Sequence, residues 1–447
     1  MARTPEQNNA IITGSIPRQL LLFFFPIWLG TMFQQLYNTV DTLIVGNFVG
    51  TQALAAVGAT SSFVQLLVGL FVGLCSGAGD HDEVNRQVHT ALALAIAGGA
   101  ALTVIGLLIS RPVLRLMQTP DEIVGMASEY LQIYFLGMIP QMIYNMGTNI
   151  LRAVGDSKRP LYFLIVASIV NIVLDIVLVA VIPLGVAGAA IATVASQVVS
   201  AVLTVRCIHG SQGMPWHLQL KNIRIERSVL LAICRIGLPG AAQSALYSIS
   251  NMTIQSAING FGTVAVAAWS VYGKIDFLFW MTVSSFGIAV TTFAGQNFGA
   301  RQYDRVRRGT MTCLAMTAGT TLCISLALYP SAQLLFRLFS SDDAVVAQGV
   351  QMMHYLVPVY MTYICIEIFS GALRGCGDVR VPTIITVFAV CIMRIVWLAL
   401  PFKHELSVVE FSYPLTWITA TVLFAIYYTK GGWMQRCIAA QNAKTRG

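Results

Sequence analysis

Gln34, Asn38 and Asp41 stand at i, i+4 and i+7 within one long apolar stretch, and Asn171 and Asp175 stand four residues apart within another. At helical pitch each set shares one face. Thr193 and Gln197 repeat the i, i+4 spacing on the following stretch. Carboxylate, amide and hydroxyl oxygens are the hard ligands that a cation such as Na⁺ prefers. The same carboxylates, withdrawn from water, hold protons more tightly and can instead carry H⁺. Tyr37 neighbours Asn38, and Tyr134, Met138, Met142 and Met146 form an aromatic and methionine stripe. Such a stripe suits either the wall of a cavity for varied apolar bodies or plain helix packing. No nucleophile–base pair, phosphate loop or metal motif occurs at the required spacing, which argues against an enzyme and against any cofactor. The nine cysteines lack CxxC spacing and the six histidines lack ligand spacing.

The elements that position these residues follow from composition. Apolar residues make up 56% of 447 and charged residues 10%. One soluble core could not bury so much apolar surface, so the chain is an all-α integral membrane protein in contact with the lipid bilayer. Twelve stretches are long enough to cross it, near 19–49, 52–79, 88–110, 122–149, 161–182, 186–208, 228–259, 263–292, 310–330, 344–372, 383–402 and 407–429. Only Arg111, Arg115, Arg337 and Lys403 fall in one set of alternate gaps; every other basic residue outside the spans falls in the other set. Basic residues mark the cytoplasmic side, so both termini are expected inside the cell, in the inner (plasma) membrane. The net charge of +8 is therefore a topology signal and implies no nucleic acid. The apolar run from Leu20 is too long for a cleaved signal peptide and lacks a small-residue cleavage site.

The chain also repeats itself. Leu-Arg-Ala-Val-Gly-Asp-Ser-Lys-Arg-Pro at 151–160 returns as Leu-Arg-Gly-Cys-Gly-Asp-Val-Arg-Val-Pro at 373–382, a shift of 222. Val-Gly-Thr-Gln-Ala-Leu-Ala-Ala at 49–56 returns at 261–268, a shift of 212. A duplicated half in an apolar chain points to a transporter, with two pseudo-symmetric six-helix lobes related by an axis along the membrane normal. The expected domains are an N-terminal lobe over 1–208, a cytoplasmic linker over 209–227 and a C-terminal lobe over 228–447. The change of shift localises to Thr292–Arg301, ten residues with no counterpart after Gly79. They read as a helix end and its glycine-terminated turn.

Six ionisable groups fall at membrane depth, where each costs about 2.5–3.5 kcal/mol on an insertion scale. They are Asp41, Asp175, Lys274, Asp276, Glu367 and Arg394. The N-terminal half holds two acids and no base; the C-terminal half holds two of each. Glu367 with Lys274 and Asp276 with Arg394 are candidate pairs, and Glu367 is equally a candidate substrate contact. Thr193 alone reads as a helix threonine bonded back to its own turn. Pro26 deprives the first span of a donor and is either a hinge or a fixed kink.

Gln-Gln-Leu-Tyr-Asn-Thr-Val-Asp-Thr-Leu-Ile-Val-Gly at 34–46, the paired Leu-Arg-x-x-Gly-Asp motifs and Gly-Val-Ala-Gly-Ala-Ala-Ile-Ala-Thr at 185–193 resemble the multidrug and toxic-compound extrusion family over about 16–432. The likeness is to the prokaryotic branch with its ion site in the N-lobe. It implies outward- and inward-open states and export of small cationic amphiphiles by a monomer in exchange for Na⁺ or H⁺. It also implies an ion site at Asp41, Asn171, Asp175 and Thr193, with Pro26 as the bend of the first helix. Gln34, Tyr37, Asn38, Met142 and Glu367 are the candidate substrate contacts. The departure is the gap after Gly79. A flippase for lipid-linked precursors is the alternative; it calls for a strongly cationic cavity, and the embedded bases here are few.

Overall fold

The computed structural model describes residues 10–48, 81–116, 121–214, 216–400 and 405–444, without side chains at 10, 37–48, 81–84, 113, 116, 121–123, 232–241 and 443–444. The described residues form helices and their connections. After a single turn at Ala10–Thr13, the main α-helices in chain order are α1 Ile16–Phe48, α2 His81–Leu116, α3 Asp121–Leu136, α4 Met138–Ala153, α5 Lys158–Asp175, α6 Gly185–His209, α7 Arg227–Asn259 and α8 Thr263–Gly299. They continue as α9 Tyr303–Phe339, α10 Asp343–Leu356, α11 Tyr360–Gly375, α12 Arg380–Thr386, α13 Met393–Ala399, α14 Leu406–Lys430 and α15 Trp433–Lys444. Nine stretches of the described residues are long and apolar enough to cross a membrane. With α3–α4 and α7 they cover the expected spans except 52–79, which lies outside the described residues, as does the break in symmetry after Gly79.

The chain divides into two compact units, Pro26–Ala241 and Ala242–Gly447 with Met1–Phe25. The division falls inside α1, beside Pro26. In the first unit α5 packs on α6, and α4 lies between α2 and α6. Its apolar core gathers Leu102, Leu131, Phe135, Met138, Met142 and Met146. The connection 209–227 is pinned to this unit rather than loose. Gln219 N–H donates to His89 Nε2 at 3.0 Å, Asn85 Nδ2 donates to His217 O at 3.1 Å, and Leu218 is fully buried. His89 thus has a structural role that spacing alone did not suggest.

The repeated motif has a structural meaning. Asp156 N–H bonds to Leu151 O at 2.8 Å, and Asp378 N–H to Leu373 O at 3.0 Å. Between them Gly155 and Gly377 take φ of 98° and 90°, a left-handed conformation in which glycine carries no Cβ penalty. These are helix ends closed by the six-residue ring that satisfies otherwise orphaned carbonyls. Asp156 then opens α5, accepting from the N–H groups of Lys158 and Arg159, each at 3.1 Å. The turn after α8 differs from its expected glycine termination. Its left-handed residue is Arg301, with φ of 58°, not Gly299. Gln302 N–H still closes on Asn297 O at 2.8 Å.

The second unit is built on α8 and α11, which cross through small residues. Gly287, Thr291 and Gly295 lie at i, i+4 and i+8 on α8, facing Gly371 and Gly375 on α11. A Cβ at Gly371 would lie 2.8 Å from Gly287 O and 2.9 Å from Thr291 Oγ1. Without a hydrophobic force between helices in lipid, such backbone approach is what holds them together.

The N-terminal strip belongs to this same unit. Arg305 donates to Ile11 O at 3.0 Å and to Gly14 O, and its guanidinium lies 5.5 Å from the Phe293 ring centre. Phe24 stacks on Phe286 with centroids 4.0 Å apart. Arg305→Ala is expected to weaken this fastening by about 1.5–3 kcal/mol, the worth of hydrogen bonds from a charged donor. Protease cleavage within 10–15 should then speed up while the rest of the chain stays resistant; an unchanged cleavage rate would count against the fastening.

Among the described residues the free cysteines are Cys207, Cys313, Cys323, Cys365, Cys376, Cys391 and Cys437. Outside the spans, burial pushes the Cys376 thiol upward; burial and the nearby Asp378 charge push Cys437 up to about 11. Neither is a ready thiolate at neutral pH.

Candidate functional site

The first unit places Asn171 and Asp175 one turn apart on α5, both with 0% exposure. Neither polar atom of the Asn171 amide has a hydrogen-bond partner among the described residues. A buried amide left so is unusual and calls for an explanation such as an ion or water. Directly after Asp175 the helix widens into a π-helical stretch, Ile176–Val181. Such widening recurs at functional positions, because it turns side chains and carbonyls away from regular register.

α1 reaches α5 at Gly30, where a Cβ would lie 3.5 Å from Leu164 Cδ2 and 3.7 Å from Leu161 Cδ1. Asp41 lies eleven residues beyond Gly30 on α1, and Asp175 eleven beyond Leu164 on α5. At 1.5 Å per residue both stand about 16 Å along their helices from that contact. The side chains of Tyr37, Asn38 and Asp41 lie outside the described residues. Gln34 is exposed.

Thr193 is 7% exposed on α6 and donates to Ala189 O at 3.1 Å, the back-bond read from sequence. Its hydroxyl oxygen retains acceptor capacity. Gln197, one turn on, donates to Gln141 Oε1 at 2.9 Å, and Tyr134 donates to the same oxygen at 3.2 Å. This triangle joins α3, α4 and α6. Sequence reasoning passed over Gln141, although its i+7 spacing from Tyr134 was a usable signal. Met142 is 4% exposed and packs in the apolar core of this unit.

The second unit corrects the candidate charge pairs. Glu367 meets Arg374 at 3.7 Å rather than Lys274, and Tyr363 donates to it at 3.5 Å. Arg374 lies seven residues on, along the same face of α11, so the partner comes from the repeated motif itself. Asp276 accepts from Trp280 Nε1 at 2.6 Å and Tyr360 OH at 2.5 Å instead of pairing with Arg394. Arg394 is 1% exposed, sits 4.6 Å over the Tyr413 ring and donates to Thr416 at 3.4 Å. Lys274 lies 5.4 Å from the Phe339 ring centre. Aromatic rings and phenol hydroxyls therefore satisfy most of this set, which spacing along the chain could not foresee. A further acid escaped the sequence reading: Glu410, near the start of α14, is 4% exposed.

No cluster of three or more His, Cys, Asp or Glu able to hold a metal occurs among the described residues. The polar sets of the two units thus differ in kind. The first brings together a buried acid, amides and a hydroxyl; the second holds Glu367 and Asp276 against neighbouring donors and buries Glu410 as well.

The chain is similar to known proteins over most of its length. A family model described as MatE matches residues 26–177 and 239–400. The probable multidrug resistance protein YoeA of Bacillus subtilis (strain 168) is 27% identical over 434 residues, covering 93% of this chain and 94% of the relative. The probable multidrug resistance protein YpnP of the same strain is 28% identical over 436 residues, covering 94% and 96%. A solved MOP superfamily transporter from Pyrococcus furiosus superposes with a TM-score of 0.85 at 21% identity, covering 99% of this chain and 100% of that one.

Proposed function

The chain belongs to the MatE family, the multidrug and toxic-compound extrusion transporters, and from that premise we propose that it exports small cationic amphiphiles in exchange for Na⁺ or H⁺. It is a multi-pass membrane transporter and not an enzyme. The observation that carries the proposal is the fully buried pair Asn171 and Asp175, whose amide lacks a partner among the described residues, at the mouth of a π-helical stretch. An acid at membrane depth is costly unless it works.

In this reading Asp41 and Asp175 make the N-lobe attractive to an organic cation while both are charged. Their equal distance from the Gly30–Leu164 contact supports a shared depth, because α1 and α5 run the same way when spans are counted. Na⁺ or H⁺ then binds at Asp41, Asn171, Asp175 and Thr193, and the attraction is lost. α1 changes its bend at Pro26, where the two units divide, and the substrate leaves outward. The ion shifts the equilibrium only by its differential affinity for the two states. Gln34, Tyr37, Asn38 and Met142 contact the substrate in the same lobe, and Glu367 contacts it in the other. Both termini face the cytoplasm, and one chain suffices.

Efflux of a cationic dye from vesicles containing the protein, under separately imposed Na⁺ and H⁺ gradients, tests the proposal. One gradient should drive dye against its own gradient. Dye movement indifferent to both gradients would overturn the exchange.

A further inference from the structure

A groove of about 300 Å³ runs along the second unit, lined by Ile385, Leu423, Ile426, Tyr427, Lys430 and Gly431. Of its lining Ile426 is 54% exposed, and the chain neighbours Ile384, Phe388 and Val422 are 65%, 56% and 50% exposed. On a membrane span such exposure faces hydrocarbon, so the groove walls suit an acyl chain. The groove ends where α14 ends, at Lys430. Lys430 is exposed and forms no ion pair among the described residues. Arg436, from the first turns of α15, donates to Tyr427 OH at 2.7 Å and lies 5.6 Å from that ring centre. Tyr427 in turn donates to Asp378 Oδ2 at 2.5 Å, which fixes the phenol at the groove's polar end. Exposed Arg380 stands two residues beyond Asp378. Lys430 and Arg436 thus stand with the Tyr427–Asp378 bond at the groove's end, at the boundary where a phospholipid carries its phosphate.

The geometry points to a binding site for one anionic glycerophospholipid of the cytoplasmic leaflet, its acyl chain in the groove and its phosphate at Lys430 and Arg436. A zwitterionic lipid fills the same groove but brings a choline cation to a basic rim. Basic pockets on the cytoplasmic side of membrane helices select anionic head groups for this reason. The inference rests on the membrane topology proposed above, and not on the coupling ion.

Native mass spectrometry of the full chain in detergent, titrated with phosphatidylglycerol or phosphatidylcholine of identical chains, tests the site. The wild type should retain phosphatidylglycerol preferentially. Lys430→Gln should weaken its binding about fivefold, and the double change with Arg436→Gln roughly twenty-five-fold. Leu423→Trp, which fills the groove and leaves the charge unchanged, should also release the lipid. Lys221→Gln, an exposed lysine on the first unit, should not, and neither should Asp175→Asn, which keeps this test apart from the coupling proposal. Equal retention of the two lipids would overturn the site. So would an equal loss in Lys221→Gln, which would mean unspecific attraction, or displacement by glycerol phosphate as effective as by whole lipid, which would mean a free-anion site. Unchanged melting temperatures of the variants show that loss of lipid is not loss of fold.

Discussion

Asp175→Asn is expected to lower gradient-driven dye efflux roughly 5- to 150-fold, the range that a coupling free energy of about 1–3 kcal/mol spans. The substitution keeps size and hydrogen-bonding reach but removes the group that can be charged or neutralised. Asp175 ends α5 fully buried, so an amide there suits the low dielectric at least as well as a carboxylate. Folding should therefore persist, and the melting temperature should stay level or rise. Asp41→Asn should have the same effect if the two acids act on one ion. Asn171→Ala should weaken ion dependence with a smaller effect on maximal efflux, because it removes a neutral ligand and leaves the charge. Efflux measured in the same vesicles as the gradient experiment decides the point. Full coupled efflux in both aspartate variants would remove the proposed site.

Gly371→Leu is expected to lower stability severely. A single Cβ at this position already lies within 2.8 Å of Gly287 O, 2.9 Å of Thr291 Oγ1 and 3.0 Å of Val290 Cγ1. The nearest of these is backbone, which cannot rotate away. Overpacking of a close contact by a few methylenes costs about 1–3 kcal/mol when neighbours can yield, and more when they cannot. α8 and α11 form the most extensive helix pair of their unit, so separating them disturbs what the unit is built on. Gly371→Ala should melt several degrees lower in detergent, and Gly371→Leu should fail to elute as a single species in size-exclusion chromatography. Wild-type melting of Gly371→Leu would show that the crossing is looser than its geometry states.

The helices were legible because lipid imposes a simple rule. Every backbone group must be satisfied within its own segment, so long apolar runs become helices and basic residues mark their ends. The expected span 228–259 and the helix Arg227–Asn259 differ by one residue. The repeat was legible for a similar reason: Leu-Arg-x-x-Gly-Asp encodes a left-handed helix end, and its glycine is dictated by one local dihedral. The adjacency of Asn171 and Asp175 is likewise a matter of helical pitch.

Residue types and spacing by themselves thus determined a membrane protein of duplicated halves, its helices, and an acid–amide pair on one face. Only the tertiary structure decided which groups satisfy the buried charges. Glu367 turned to Arg374, Asp276 to Tyr360 and Trp280, and Arg394 to the Tyr413 ring. It alone also tied the N-terminal strip to Arg305, nearly three hundred residues away. A helix sets its own neighbours by pitch, over a few residues. A buried charge takes whatever donor, acceptor or ring the packing of other helices brings within reach, and no spacing along the chain records that choice.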